Sequence, residues 1–168
     1  YEEFGMDWGN KTATFRWNHL FSDRVFSNMS FIFSDFSYGF NLDENIRYDS
    51  GIKDYGFKNR LSWYLNTDNT IDAGLEVHHR DFNPGALRSS GDSNINIVMD
   101  KKEAFEAGIY IQNEHTISPS LNANYGFRLS AFSQLNAGDT VRSYIIPEPR
   151  ISFNYRLNDR SSVKLSYN

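Results

Sequence analysis

The chain contains no cysteine. That excludes a disulfide framework and thiolate-ligated metal sites, and leaves the compartment open. It also lacks any run approaching the roughly 18 consecutive apolar residues of a membrane helix. Its most apolar stretches, such as Phe31-Ile32-Phe33, break off at once. There is no basic stripe. Lysine and arginine number 17 against 21 acidic residues, for a formal net charge of -4, and the two signs are mixed along the chain. The electrostatic footprint of a nucleic-acid surface is therefore missing, and no nucleic-acid partner is expected. No nucleophile elbow, phosphate-cradling glycine loop or zinc-protease helix occurs, so neither a catalytic residue nor a cofactor is expected. The carboxylate pairs Glu2-Glu3 and Asp43-Glu44 fall in connectors and read as solvated surface.

What is present is aromatic. Three Trp, ten Tyr and fourteen Phe make up 16% of 168 residues, yet the mean hydropathy is -0.59. A chain both aromatic-rich and polar on average has two faces of opposite character, and period-two alternation supplies them. Tyr55, Phe57, Leu61, Trp63 and Leu65 share one face, against Asp54, Gly56, Lys58, Arg60, Ser62 and Tyr64. Ile71, Ala73, Leu75 and Val77 stand against Asp72, Gly74, Glu76, His78 and Arg80, and Leu121, Ala123, Tyr125, Phe127 and Leu129 against Asn122, Asn124, Gly126, Arg128 and Ser130. Shorter versions begin near Thr12, Met29, Phe105, Ile151 and Val163, giving about eight strands. The second segment changes phase, from Met29, Phe31 and Phe33 to Phe36, Tyr38 and Phe40; a bulge near Ser34-Asp35 or an extension of the strand beyond a membrane would each explain it.

Connectors alternate strictly in length. Ser22–Arg24, Asp68–Thr70, His115–Pro119 and Asn158–Ser161 are short; Asn41–Gly51, Asn83–Lys101 and Ser133–Pro147 are long. Up-and-down strands with short turns at one end and long loops at the other form the layout of outer-membrane barrels, the first strand then running towards the periplasm. Pro147 and Pro149 are placed where a strand resumes after a loop, a position that costs no ladder hydrogen bond. The apolar set, with Phe15, Trp17, Phe31, Phe33, Phe57, Trp63, Phe127 and Phe153 among its members, is too bulky for the inside of a barrel of about eight strands and suits a surface facing lipid. Trp17, Trp63 and Tyr155 lie close before short turns, where interfacial girdles sit. Two other readings share the alternation: a complete small barrel with a structural or adhesive role, and a secreted β-sandwich binding carbohydrate.

The segment Trp8-Gly9-Asn10-Lys11-Thr12-Ala13-Thr14-Phe15-Arg16-Trp17-Asn18-His19-Leu20-Phe21-Ser22-Asp23-Arg24 resembles barrel strands of TonB-dependent outer-membrane receptors. So does the stretch from Pro147-Glu148-Pro149-Arg150 through Ile151-Ser152-Phe153-Asn154-Tyr155 to Ser162-Val163-Lys164-Leu165-Ser166-Tyr167-Asn168. The resemblance spans residues 1–168 and is nearest to the group whose barrel follows a carboxypeptidase-regulatory-like domain. It implies a segment of an all-β, antiparallel, up-and-down transmembrane barrel, part of a wall of roughly 22 strands closed by a plug. It also implies residence in the cell outer membrane, contact with outer-membrane lipid, and uptake of a small solute or glycan. The energy would come from an inner-membrane coupling protein acting on a plug that has no counterpart here. The opening at Tyr1 without a signal peptide, and the stop at Asn168 inside an alternating segment, are expected of an excerpt.

Six residues of the polar faces are candidate solute contacts in a barrel lumen: Lys58, Arg60, Glu76, His78, Arg80 and Arg128. A turn at Asp68–Thr70 would set Arg60 opposite His78 and Ser62 opposite Glu76. The competing reading, and the favoured one, is an ion-pair ladder that satisfies charges inside the barrel. Arg150 and Arg156 admit the same two readings. His78 and His79 point to opposite faces of a strand and cannot share a metal, so no metal site is expected from that pair. The long loops at Asn83–Lys101, with its Gly91, Asp92, Ser93 and Asn94, and at Ser133–Pro147 are the better places for recognition.

Overall fold

The structure, a computed structural model, describes residues 4–41, 46–89, 96–136 and 139–167. Within them the chain is all β: β1 (Gly5–Ser22), β2 (Val25–Asn41), β3 (Ile46–Tyr64), β4 (Asn69–Ser89), β5 (Asn96–Val98), β6 (Lys102–Ser118), β7 (Leu121–Asn136), β8 (Asp139–Asn158) and β9 (Ser161–Tyr167). A single antiparallel sheet orders them β1-β2-β3-β4-β6-β7-β8-β9, with β5 against the far end of β4. No second sheet packs on it among the described residues, which removes the sandwich reading. Nor do β1 and β9 pair with each other there, so the sheet is an open stretch of wall.

Partners across the sheet keep their parity. One row runs Phe15–Phe31–Phe57–Val77–Ala107–Ala131–Ile145, and the row beside it runs Arg16–Ser30–Lys58–Glu76–Gly108–Ser130–Ile146. The odd-numbered face is therefore the greasy one, and its side chains are open: Phe15 is 65% exposed and Leu165 69%. The buried apolar residues described are Ala86, Ala104 and Ala123, and no large side chain is fully enclosed. A hydrophobic core, in which each large side chain is worth about 1.5–3 kcal/mol, does not exist here. The even-numbered face is the hollow one: a cavity of about 920 Å³ is lined from Thr14 on β1 to Arg150 on β8, which a flat sheet could not enclose.

Along the single row from Phe15 to Ile145, the short turns recede by about one residue per strand, a stagger that tilts strands by roughly 35–45° in a barrel wall. The strands also outrun the roughly 9–11 residues needed to cross a bilayer. Most of what the alternation marks as long loops is strand: β2 runs to Asn41, β4 to Ser89, β7 to Asn136, and β5 is a ninth strand inside Asn83–Lys101. Beyond a greasy band both faces can be wet, so alternation fades while the backbone ladder continues. The portion of that connection at Ser90, Gly91, Asp92, Ser93 and Asn94 lies outside the described residues, as do Glu2, Glu3, Asp43 and Glu44.

Three local expectations need correction. β2 pairs without a break through Ser34 and Asp35, so its change of phase marks strand extension and not a bulge. The true bulge sets Ser50 of β3 against Pro84 and Gly85 of β4. There Gly85 adopts φ +141°, the Tyr48 ring fills the space a Cβ would need, and the Tyr48 hydroxyl donates to the Pro84 carbonyl at 2.5 Å. Second, the β3–β4 turn is Leu65–Asp68, closed by the Leu65 amide donating to the Asn69 carbonyl (3.1 Å) and the Asp68 amide donating to Asn66 Oδ1 (2.9 Å). Thr70 already belongs to β4. Arg60 consequently faces Gly74, Ser62 faces Asp72 and Lys58 faces Glu76, four residues away from the expected register. Third, Pro147 and Pro149 lie inside β8, over a stretch that β9 does not reach, its pairing starting at Ile151.

Large side chains on the hollow face lie flat across the sheet over glycines of the adjacent strand. The Tyr110 ring covers Gly74, where a Cβ would fall within the ring, whereas a Cβ at Gly9 would meet nothing. Gly74→Val is expected to lower stability by about 1–3 kcal/mol through overpacking. Gly9→Ala should stay within about 0.5 kcal/mol. Denaturant unfolding of the protein in detergent, followed by tryptophan fluorescence, separates the two.

Candidate functional site

The hollow face changes character along the strands. At the short-turn end it is mainly amide- and hydroxyl-lined, with Asn122, Asn124, Ser152 and Asn154 around a groove of about 660 Å³ that Glu114 and Lys164 also border. In the middle it is charged. Glu76 takes the Lys58 ammonium from β3 and Arg128 Nη2 from β7 (3.2 Å); Arg128 reaches it by crossing Gly108, where a Cβ would lie 2.5 Å from Nη2. Arg128 Nε donates to Ser130 (3.0 Å), Ser130 donates to Glu148 (2.5 Å), and Arg150 donates to the other oxygen of Glu148 (2.6 Å). One rung further from the turns, Asp54 accepts from His78 Nδ1 at 3.0 Å and pairs with Arg80 at 3.5 Å, and Arg80 donates to Glu106 at 2.5 Å. One rung nearer, Arg60 Nε donates to the Tyr110 hydroxyl at 3.3 Å.

All six lumen candidates thus lie on one face, each with a protein partner; His78 Nε2, 3.4 Å from Glu76, joins Lys58, Glu76, Arg128, His78 and Arg80 into one network, while Arg60 pairs with Tyr110 beside it. Their partial burial explains the pairing, because a charge withdrawn from water without a partner is costly; the His78 side chain is only 10% exposed. The arrangement is a ladder shared between carboxylates and cations. Both carboxylate oxygens of Glu76 and two nitrogens of Arg128 are engaged in it, while Lys58 remains about half exposed. Arg156 is likewise engaged, donating to the Pro119 carbonyl at 2.7 Å. Trp17, Trp63 and Tyr155 stand on the opposite, greasy face, each 44–49% exposed, with Trp17 stacked on His19 at 5.2 Å.

Towards the long connections the hollow face turns aromatic. Phe36, Ile52 and Phe82 form one cross-strand row. With Tyr38, Pro84, Ala104 and Phe132 they line a cavity of about 480 Å³, rimmed by Arg80, Lys102, Glu106 and Gln134. Phe132 is stacked on Tyr144 at 5.1 Å. Lys102 is exposed and has no ion-pair partner among the described residues, unlike Arg80 beside it. The volume falls in the range of small-molecule sites, and an apolar floor with few polar groups at its rim is their usual construction. Sequence reasoning missed these residues as a site. The signal was the phase change at Phe36, Tyr38 and Phe40, which places aromatics on the otherwise polar face.

Above this cavity, on the greasy side, Arg47 reaches across β2 over Gly39 to Asp7 of β1 (3.1 Å), while also holding Asp49 (2.8 Å). The Asp7 and Asp49 hydrogen bonds raise its pKa further. This ties the long-connection ends of β1, β2 and β3 together.

Because Glu76 serves two cations, Glu76→Ala is expected to cost more than Lys58→Ala, about 1.5–3 kcal/mol for charged hydrogen bonds lost from a partly buried site. Lys58→Ala, removing the more exposed partner, should cost under about 1 kcal/mol. The double variant should fall short of the sum, since the two residues interact directly; denaturation midpoints of the four proteins measure this.

The fold has clear relatives. BauA, the ferric preacinetobactin receptor from Acinetobacter baumannii, superposes with a TM-score of 0.73 over 97% of this chain at 11% sequence identity. The chain spans 30% of the length of that receptor. No curated protein matches the sequence. A family model described as TonB dependent receptor-like, beta-barrel, matches residues 1–168. Taken with the tilted, lengthening hairpins and the outward apolar face, this match makes the chain a member of the TonB-dependent receptor β-barrel family.

Proposed function

We propose that the chain forms barrel wall of an outer-membrane receptor that takes up a small solute, and that the solute meets the aromatic cavity at the long-connection end. The observation that carries this reading is the cavity itself: a stacking floor of Phe36, Phe82 and Phe132, with the unpaired cation Lys102 at its rim. That chemistry suits a planar or aryl-bearing anion, such as a metal chelate of the general kind named for the similar receptor. The greasy face meets outer-membrane lipid, with Trp17, Trp63 and Tyr155 at the periplasmic interface. Lys58, Arg60, Glu76, His78 and Arg128 support the wall, and Arg80 serves both the ladder and the cavity. Energy for uptake comes from an inner-membrane coupling protein acting on a plug outside these residues.

A binding titration with a panel of iron chelates, catecholate and hydroxamate, anionic and neutral, tests the reading. Phe82→Ala and Phe132→Ala should each raise the Kd of the bound chelate about tenfold, a loss of about 1.4 kcal/mol. Lys102→Gln should weaken anionic chelates selectively, while Lys58→Gln leaves Kd unchanged. Unaltered affinity in both phenylalanine variants would place recognition elsewhere.

A further inference from the structure

The greasy face carries one cluster that neither lipid contact nor solute recognition employs. His79 and Asp81 on β4 and Glu103 at the start of β6 all point to the odd-numbered side, His79 in the aromatic row between Tyr55 and Phe105 and the two carboxylates one rung beyond it. His79 Nε2 lies 3.4 Å from Asp81 Oδ1 and 3.4 Å from Glu103 Oε2, and the three donor atoms all fall within 4.8 Å of one another. His78, its neighbour in sequence, belongs to the hollow-face ladder and takes no part.

Two features single this cluster out from ordinary surface charge. Asp81 and Glu103 are direct cross-strand partners, an arrangement of like charges that destabilises a ladder unless a cation lies between them. The cation one strand over does not fill that role: Lys53, opposite Asp81 on β3, is engaged with Asp35 at 3.9 Å. The imidazole, moreover, is held in place. Its ring is stacked on Phe105 at 4.9 Å and on Tyr55 at 6.3 Å, which aims Nε2 at both carboxylates. The 3.4 Å separations exceed the roughly 2.7–3.2 Å of a well-made hydrogen bond. They match the edge of a tetrahedron whose centre-to-ligand distances are about 2.0–2.2 Å, as for zinc.

We propose that His79, Asp81 and Glu103 form a divalent transition-metal site, with zinc the best fit. An imidazole with two carboxylates suits zinc. Calcium wants six to eight oxygens, and magnesium wants an octahedral oxygen shell. Three protein donors leave the remaining position to water. The bound ion neutralises the facing carboxylates and fastens the first residues of β6, at its long-connection end, to β4, at the point where the lane shared by β5 and β6 is interrupted between Val98 and Lys102. The three residues share the odd-numbered face, opposite Phe36, Phe82 and Phe132, although Glu103 also borders the aromatic cavity; the test therefore reads zinc binding and not solute affinity.

The test uses the full-length protein in mild detergent, stripped with a chelator and titrated calorimetrically with zinc chloride. His79→Gln should bind one zinc equivalent fewer than the unaltered protein. Glu103→Gln should weaken that equivalent at least tenfold, and His78→Gln should match the unaltered protein. Heat-modifiable migration on gels checks that each variant is folded. Cobalt(II) added to the unaltered, stripped protein gives a second readout, the intense visible absorption of a tetrahedral nitrogen-and-oxygen site. Equal zinc uptake by the unaltered protein and His79→Gln overturns the proposal. So does an equal loss in His78→Gln, an unchanged Glu103→Gln, or the absence of the cobalt band.

Discussion

Everything in this molecule depends on the backbone ladder, because the side chains build no interior. A sheet whose large apolar residues all point away from it has only its own hydrogen bonds, its cross-strand side-chain contacts and its surroundings to hold it together. The long, nearly unbroken pairing of β1 with β2, β2 with β3 and β6 with β7 answers that need. The bulges described fall either beside a short turn or towards the long connections, leaving the middle of each strand regular. Lipid is the environment in which such a ladder is most strongly enforced, since no water competes for the amides and carbonyls.

The hollow face solves a second problem with the same economy. A curved wall brings polar side chains together in a confined space, where each charge needs a partner. Placing a glycine beside a long side chain lets Tyr110, Arg128 and His78 lie along the sheet instead of projecting from it. Flattened in this way, Arg128 reaches from β7 across β6 to Glu76 on β4, and Arg60 reaches Tyr110 across Gly74. The ladder thus spans strands that are not neighbours, which couples several hairpins through side chains as well as through backbone. Beyond it the charges give way to Phe36, Phe82 and Phe132, and the wall acquires an aromatic floor.

Much of this was legible in the amino-acid order alone. The two faces and the up-and-down hairpins follow from alternation and connector length. The family resemblance in Trp8–Arg24 and Pro147–Asn168 agrees with the match over the whole chain. The polar residues singled out were indeed neighbours, but their partners were misassigned, because placing the turn at Asp68–Thr70 instead of Leu65–Asp68 slides β4 by four residues along β3. Parity survives a slip of four, so the face was right while the pairing was wrong. The aromatic cavity was harder to see: Phe36 and Tyr38 are close in sequence, but Phe82 and Phe132 come from distant strands, and only the register of five strands gathers them.

Alternation is a local property, written into consecutive residues wherever one side of a strand meets grease and the other does not. For that reason the sequence by itself determined that this chain is barrel wall and which residues face which way. Register, strand length beyond the greasy band, and contacts such as Glu76 with Arg128 or His79 with Glu103 join residues tens of positions apart. Those depend on the closure of each turn and on the accumulated stagger of the sheet. Only the tertiary structure decided them, because no local pattern records the sum of several turns.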